Sequence, residues 1–122
     1  MSKILIVEDE LHIRQILKDL LLQRGYEVIE AGNGRAGFEL FLQHIKQVQL
    51  IITDISMPLM TGIELEERIH SLIPEIKMIA LTGSVGVHEE LHNLEDRFDR
   101  VIQKPFEFES LVSGITSILE EN

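Results

Sequence analysis

Short apolar runs and longer stretches of helical period take turns along this chain. Ile4-Leu5-Ile6-Val7 is an unbroken apolar run that ends on acid, the pattern of a strand buried on both faces. Leu11, Ile16, Leu17, Leu20 and Leu21 then recur at helical spacing, and Gly25 is placed to end that helix. Tyr26 to Ala31 reads as a second strand, and Ala36, Leu40, Phe41 and Ile45 mark a second helix. Leu50 to Thr53 reads as a third strand, with Pro58 in the loop that follows. Ile63 to Leu72 reads as a third helix, stopped before Pro74. Lys77 to Leu81 is a fourth strand, Val87, Leu91, Leu94 and Phe98 mark a fourth helix, and Val101-Ile102 is a short fifth strand. Phe108, Leu111, Val112, Ile115, Ile118 and Leu119 make the best helical stripe in the chain. Five strand–helix units in succession predict an α/β fold: a parallel sheet with right-handed crossovers and helices on both faces.

The 122 residues are read as a single domain spanning 1–122, without repeat, linker or low-complexity stretch. Hydrophobic residues make up 44% but aromatics only 5%, so Ile, Leu and Val must build the core. The net charge of −10 repels a phosphate backbone, which argues against direct nucleic-acid binding and for cationic partners, a metal ion or a basic protein face. The absence of cysteine excludes disulfides and thiolate metal sites. The first residues are too short and too quickly acidic for a signal peptide, and no stretch reaches the roughly 20 apolar residues of a membrane helix. The expectation is a soluble cytoplasmic protein.

Ligands in open α/β sheets bind beyond the carboxyl ends of the strands. Glu8, Asp9 and Glu10 follow the first strand, Asp54 the third, Thr82, Gly83 and Ser84 the fourth, and Lys104 and Pro105 the fifth. Taken singly, these are ordinary cap, turn or surface residues. Together they put carboxylates, a hydroxyl and an ammonium on one sheet edge. Clustered carboxylates need a cation between them, and an all-oxygen donor set selects a hard one such as Mg²⁺. One carboxylate can then act as a nucleophile toward phosphorus, with metal and lysine neutralising the transferred charge.

Ile4 to Glu10, Asp54-Ile55-Ser56-Met57-Pro58 with Thr61-Gly62, Thr82-Gly83 and Lys104-Pro105-Phe106 together resemble the response-regulator receiver family of two-component signalling, over nearly the whole chain. The resemblance implies a flavodoxin-like (βα)5 fold with strand order 2-1-3-4-5. It implies Asp54 as the phosphoacceptor, Asp9 as a direct Mg²⁺ ligand, Glu8 acting through water, and the Ser56 backbone carbonyl as a further ligand. Thr82 would be the switch hydroxyl, the Gly83 N–H would help bind the phosphoryl group, and Lys104 would pair with a phosphoryl oxygen. A cis Lys104-Pro105 bond is expected to aim the lysine inward. The implied donor is a phosphohistidine on a sensor histidine kinase or histidine phosphotransfer protein, and the receiver catalyses its own phosphorylation and its slow hydrolysis. The implied output is a downstream protein or fused output domain, with a phosphorylation-linked homodimer as a further option.

Two departures stand out. Many receivers carry Tyr or Phe where this chain has Val101, and a Gly-Ala pair near the segment Glu95 to Arg100, here Glu-Asp-Arg-Phe-Asp-Arg. Both bear on the face made by the fourth helix, fifth strand and fifth helix, and neither touches the acceptor. Ser56 and Ser84 flank the implied path of the attacking water, and their small size predicts a short-lived phosphoryl group; the plainer alternative is a pair of solvated turn residues.

Two further motifs compete with this reading. His88-Glu89-Glu90-Leu91-His92 fits H-E-x-x-H, a zinc-protease pattern, with Glu107 and Glu109 as candidate third ligands. Both histidines fall beside the apolar stripe of their helix, so a solvated face is preferred. Gly32-Asn33-Gly34-Arg35-Ala36-Gly37 fits G-x-G-x-x-G, but after the second strand where a dinucleotide fold wants it after the first; a glycine-rich turn opening a helix is preferred. Glu120-Glu121-Asn122 opposes the dipole of the last helix, in a stand-alone receiver or one cut from a longer regulator or hybrid kinase. A receiver fold that works as an interaction module without phosphorylation is the alternative function.

Overall fold

The computed structural model describes residues 2–83 and 88–120, and of 88–92 only the backbone. Strands β1 (Lys3–Val7), β2 (Glu27–Ala31), β3 (Val48–Asp54), β4 (Lys77–Thr82) and β5 (Arg100–Gln103) alternate with helices α1 (Leu11–Gln23), α2 (Gly34–Gln43), α3 (Gly62–Leu72), α4 (His88–Arg97) and α5 (Phe108–Leu119). The strands form one parallel sheet in the order β2-β1-β3-β4-β5, the order the resemblance implied.

The unbroken apolar runs have their cause in the two layers. On β1, Leu5 and Val7 enter a core shared with Phe41 of α2, Leu65 and Ile69 of α3, Leu94 of α4 and Phe98 just past the end of α4. Ile4 and Ile6 point the other way, toward Leu17 and Leu21 of α1 and Leu111, Ile115 and Ile118 of α5. Alternate residues of a strand face opposite sides, so both kinds must be apolar when both sides are covered. Burying each such side chain stabilises by roughly 1.5–3 kcal/mol, so the central strands tie both helical layers into one structure.

The helix boundaries are set locally. Gly25, at φ 87°, adopts the left-handed conformation that ends α1. Thr61 caps α3 in a capping box, its side chain accepting from the Glu64 N–H while the Glu64 carboxylate accepts from the Thr61 N–H. Helix α2 ends earlier than the periodicity predicts: the chain turns at His44, and Ile45 packs on the core from that turn. Strand β3 is longer than predicted at both ends, reaching from Val48 to Asp54. No helix among the described residues is long and apolar enough to cross a membrane.

Candidate functional site

Parallel strands bring all their carboxyl ends to one edge, and there Glu8, Asp54, Thr82 and Lys104 assemble. Asp54 is the last residue of β3 and Thr82 the last of β4, and both are buried. Asp54 stands opposite Leu81, which places Thr82 one position further along the neighbouring strand. The Ile55 N–H donates to Asp54 Oδ1 at 2.8 Å, and Oδ2 lies 3.3 Å from Lys104 Nζ. The Lys104 N–H donates to the Thr82 carbonyl at 2.8 Å, and the Lys104–Pro105 peptide bond is cis. The start of α3 is pressed against Asp54: a Cβ on Gly62 would stand 2.4 Å from the Asp54 carbonyl oxygen, closer than atoms can approach.

Glu8 is wholly buried. Its Oε2 accepts from the Glu10 N–H at 3.1 Å. Its Oε1 lies 2.7 Å from Lys104 Nζ, a buried ion pair. Burial pushes the Glu8 carboxyl up to about 7; the charge of Asp54 adds to the rise, while Lys104 and the Glu10 N–H oppose it. Burial also works against the charge on Lys104, but pairing with Glu8 and Asp54 outweighs it and holds the ammonium above its ordinary value.

Glu8, exposed Asp9 and Asp54 each offer a carboxylate oxygen, and these atoms lie within 4.8 Å of one another. Among the described residues, one ammonium, that of Lys104, pairs with two of these three carboxylates. The cluster keeps an excess of negative charge and offers only oxygen donors, which a divalent cation that prefers oxygen ligands would balance, so the residues present fit Mg²⁺.

The remaining sequence-derived positions are spread around this edge. Ser56 is exposed in the loop after β3. Gly83 is exposed at the end of β4, with open space where a Cβ would stand. Val101 is half-buried and packs on the core beneath α2, α3 and α4. Ser84 lies outside the described residues, as do the side chains of His88, Glu89 and His92; Glu107 and Glu109 are exposed at the start of α5. The glycine-rich segment is a helix-opening turn after edge strand β2, where Asn33 caps α2 by accepting from the Ala36 N–H at 2.8 Å.

Sequence reasoning passed over Glu66, His70 and Arg14. Glu66 is buried between α3 and α4, where Arg97 Nη1 and His70 Nδ1 lie 3.0 and 2.7 Å from its two oxygens. Its signal was a carboxylate inside the apolar stripe of α3, four residues before a histidine. Arg14 donates from Nη1 to the Glu8 carbonyl at 2.7 Å, a contact with no local sequence signature.

The chain belongs to the response regulator receiver domain family, whose profile matches residues 4–116. It is a receiver domain of two-component systems. Over 119 residues it is 34% identical to the response regulator receiver protein CpdR of Brucella abortus, covering 98% of each chain. It is 36% identical to a segment of histidine kinase P4 of Formosa agariphila, covering 98% of this chain but 9% of the kinase. Among solved structures it is similar to the response regulator protein TrrA from Thermotoga maritima in complex with Mg²⁺–BeF, at TM-score 0.84 and 31% identity, covering 97% of this chain and 99% of that one.

Proposed function

We propose that this receiver is a phosphorelay switch in which Asp54 accepts a phosphoryl group from a phosphohistidine donor. The observation that carries the reading is the pairing of buried Asp54 with Lys104 at 3.3 Å, beside the acids Glu8 and Asp9. An Asp54 oxygen bonds to phosphorus as the phosphorus–nitrogen bond breaks, and the bonding pair leaves with the imidazole nitrogen. Hydrolysis resets Asp54: water attacks phosphorus, the bond to Asp54 breaks with its electron pair leaving on the carboxylate, and inorganic phosphate and a proton are released. Lys104 meets one phosphoryl oxygen, and the Thr82 hydroxyl and Gly83 N–H bind the others. Mg²⁺, held by Asp9, Asp54 and the Ser56 carbonyl with Glu8 acting through water, would supply the charge neutralisation that phosphoryl transfer requires. Movement of Thr82 toward the phosphoryl group then alters the face made by α4, β5 and α5.

The proposed donor is a sensor histidine kinase or histidine phosphotransfer protein, and the proposed setting is the cytoplasm, which a cysteine-free chain suits. A downstream protein or fused output domain reads the switch, with a phosphorylation-linked homodimer as one form of that reading. Similarity to both a receiver of matching length and a segment of a kinase supports either arrangement.

The test is phosphorylation by acetyl phosphate, with and without Mg²⁺, read by intact-mass spectrometry on wild type and Asp54→Asn. The expected result is an adduct that needs Mg²⁺ and disappears in the variant, matched by beryllofluoride binding to the wild type alone. A folded protein that takes up neither would be an interaction module that works without phosphorylation, the reading that Val101 favours.

A further inference from the structure

Arg14 and the glycine-rich turn take no part in the chemistry above, yet they meet directly behind Glu8. The Arg14 side chain is 17% exposed. Its Nη1 donates to the Glu8 carbonyl at 2.7 Å and its Nε to Glu30 Oε1 on β2 at 3.1 Å. Lys18 lies 2.7 Å from the other Glu30 oxygen, and Lys18 with Arg14 holds the Glu30 carboxyl below its ordinary range, so the anchor is a fixed anion. The Glu8 N–H donates to the Ala31 carbonyl at 3.1 Å. Glu8 is therefore tied to β2 on one side by its own backbone and on the other through Arg14. The carbonyl that Arg14 grips belongs to the planar peptide that also carries the Asp9 nitrogen, so holding it sets where the Asp9 side chain departs. A guanidinium is suited to this because its donors sit in a rigid fork, one prong for the anchor and one for the target. Gly32 completes the device: a Cβ there would stand 3.2 Å from Arg14 Nη1 and push on the guanidinium.

We infer that Arg14 is a positioning residue for the cation site, orienting the Glu8–Asp9 peptide so that both carboxylates face Asp54, and that Gly32 keeps its guanidinium in place. The inference rests on the reading of Glu8, Asp9 and Asp54 as a Mg²⁺ site. It gives the first glycine of the G-x-G-x-x-G motif a role in this fold that has nothing to do with a dinucleotide.

The experiment titrates Mg²⁺ alone into the full chain by calorimetry, with urea unfolding in EDTA measured in parallel. The variants are Arg14→Met, Arg14→Lys, Gly32→Ala and, as a marker of the site, Asp9→Asn. Removing a group that orients metal ligands typically weakens binding by about 10–100-fold, and Arg14→Met is expected in that range. Arg14→Lys should recover part of the loss, and Gly32→Ala should weaken binding in the same direction. A merely structural arginine would lower the urea midpoint and leave the affinity of the folded protein alone. Unchanged Mg²⁺ affinity in folded Arg14→Met overturns the inference while leaving the site reading intact. If that variant does not fold, Arg14→Lys and Gly32→Ala decide by the same criterion. A wild type that takes up no Mg²⁺, or takes it up equally in Asp9→Asn, overturns the site reading and this inference with it.

Discussion

Glu8 meets opposite demands from folding and from the proposed cation site. Its carboxyl is pushed up to about 7 from an ordinary value of 4.5, mainly by burial. Folding therefore favours the protonated form: the contribution of Glu8 is fully present below about pH 4.5 and is lost as pH rises through about 7. In EDTA at pH 8, Glu8→Gln is expected to be more stable than wild type by on the order of 2 kcal/mol, because it removes a buried charge but also a partner of Lys104. The gap should close by about pH 4.5, where both forms are neutral. Urea unfolding across that range checks the sign, and a variant less stable than wild type at pH 8 would refute it. Mg²⁺ should stabilise the wild type more than the variant. Ser56 is the second residue with its own consequence. It is exposed in the loop after β3; under the proposed reading, in which the attacking water passes this residue, Ser56→Arg should slow decay of the phosphoryl group severalfold. An unchanged decay rate, followed by mass spectrometry after the phosphodonor is removed, would reduce Ser56 to a turn residue. The chemical identities of Glu8, Asp9, Asp54, Thr82 and Lys104 were legible in the sequence because each follows or ends an apolar run. The hold of Arg14 on Glu8 was not, because a side chain gripping a backbone carbonyl imposes no residue type there.

Helices α3 and α4 depend on a charged tie. Among the described side chains of α4, Leu94 and Phe98 just past its end enter the core, and Arg97 reaches across to Glu66 at 3.0 Å and Glu67 at 3.4 Å. Glu66 is buried, so removing its guanidinium partner leaves its carboxylate, among the described residues, with His70 alone. Arg97→Met should lower the stability of the chain by about 1–3 kcal/mol, the usual result of leaving a buried polar group under-satisfied. Urea denaturation measures it, and a change below about 0.5 kcal/mol, the size expected of a surface pair, would show that water already satisfies Glu66. The charged segment that departs from the family pattern is thus built into the fold. Asp99 Oδ2 accepts from the Met78 N–H at 2.8 Å, and Arg100 donates to Ser117 on α5 at 3.2 Å while packing on Gly114. At this scale the sequence was most readable where one face of an element is apolar throughout. The stripe of α5 predicted Phe108–Leu119, the bounds found. It was least readable at β3, where buried Asp54 belongs to the strand although its polarity marks an end.

Across the whole molecule, a net charge of −10 on 122 residues means that the folded chain repels itself. Screening should relieve this: in EDTA, raising sodium chloride from about 10 to 150 mM shortens the Debye length from roughly 30 to 8 Å. A gain on the order of 0.5 kcal/mol would raise the thermal midpoint by about 2 °C. A midpoint that falls with salt would mean that the ion pairs, Glu30 with Arg14 and Lys18 above all, outweigh the repulsion. The same acidity suits capture of a divalent cation and of a partner with a basic face. By itself the sequence determined the succession of five strand–helix units, the two-sided burial of the central strands and the residue types at the strand ends. These follow from periodicity and local chain chemistry, which act over a few residues at a time. Tertiary structure alone decided that Lys104 stands between Glu8 and Asp54, that Arg14 holds the carbonyl of Glu8, and that Arg97 answers Glu66. Each joins residues of different elements, and such pairings are set by strand order, register and the packing of helices on the sheet, which no local pattern encodes.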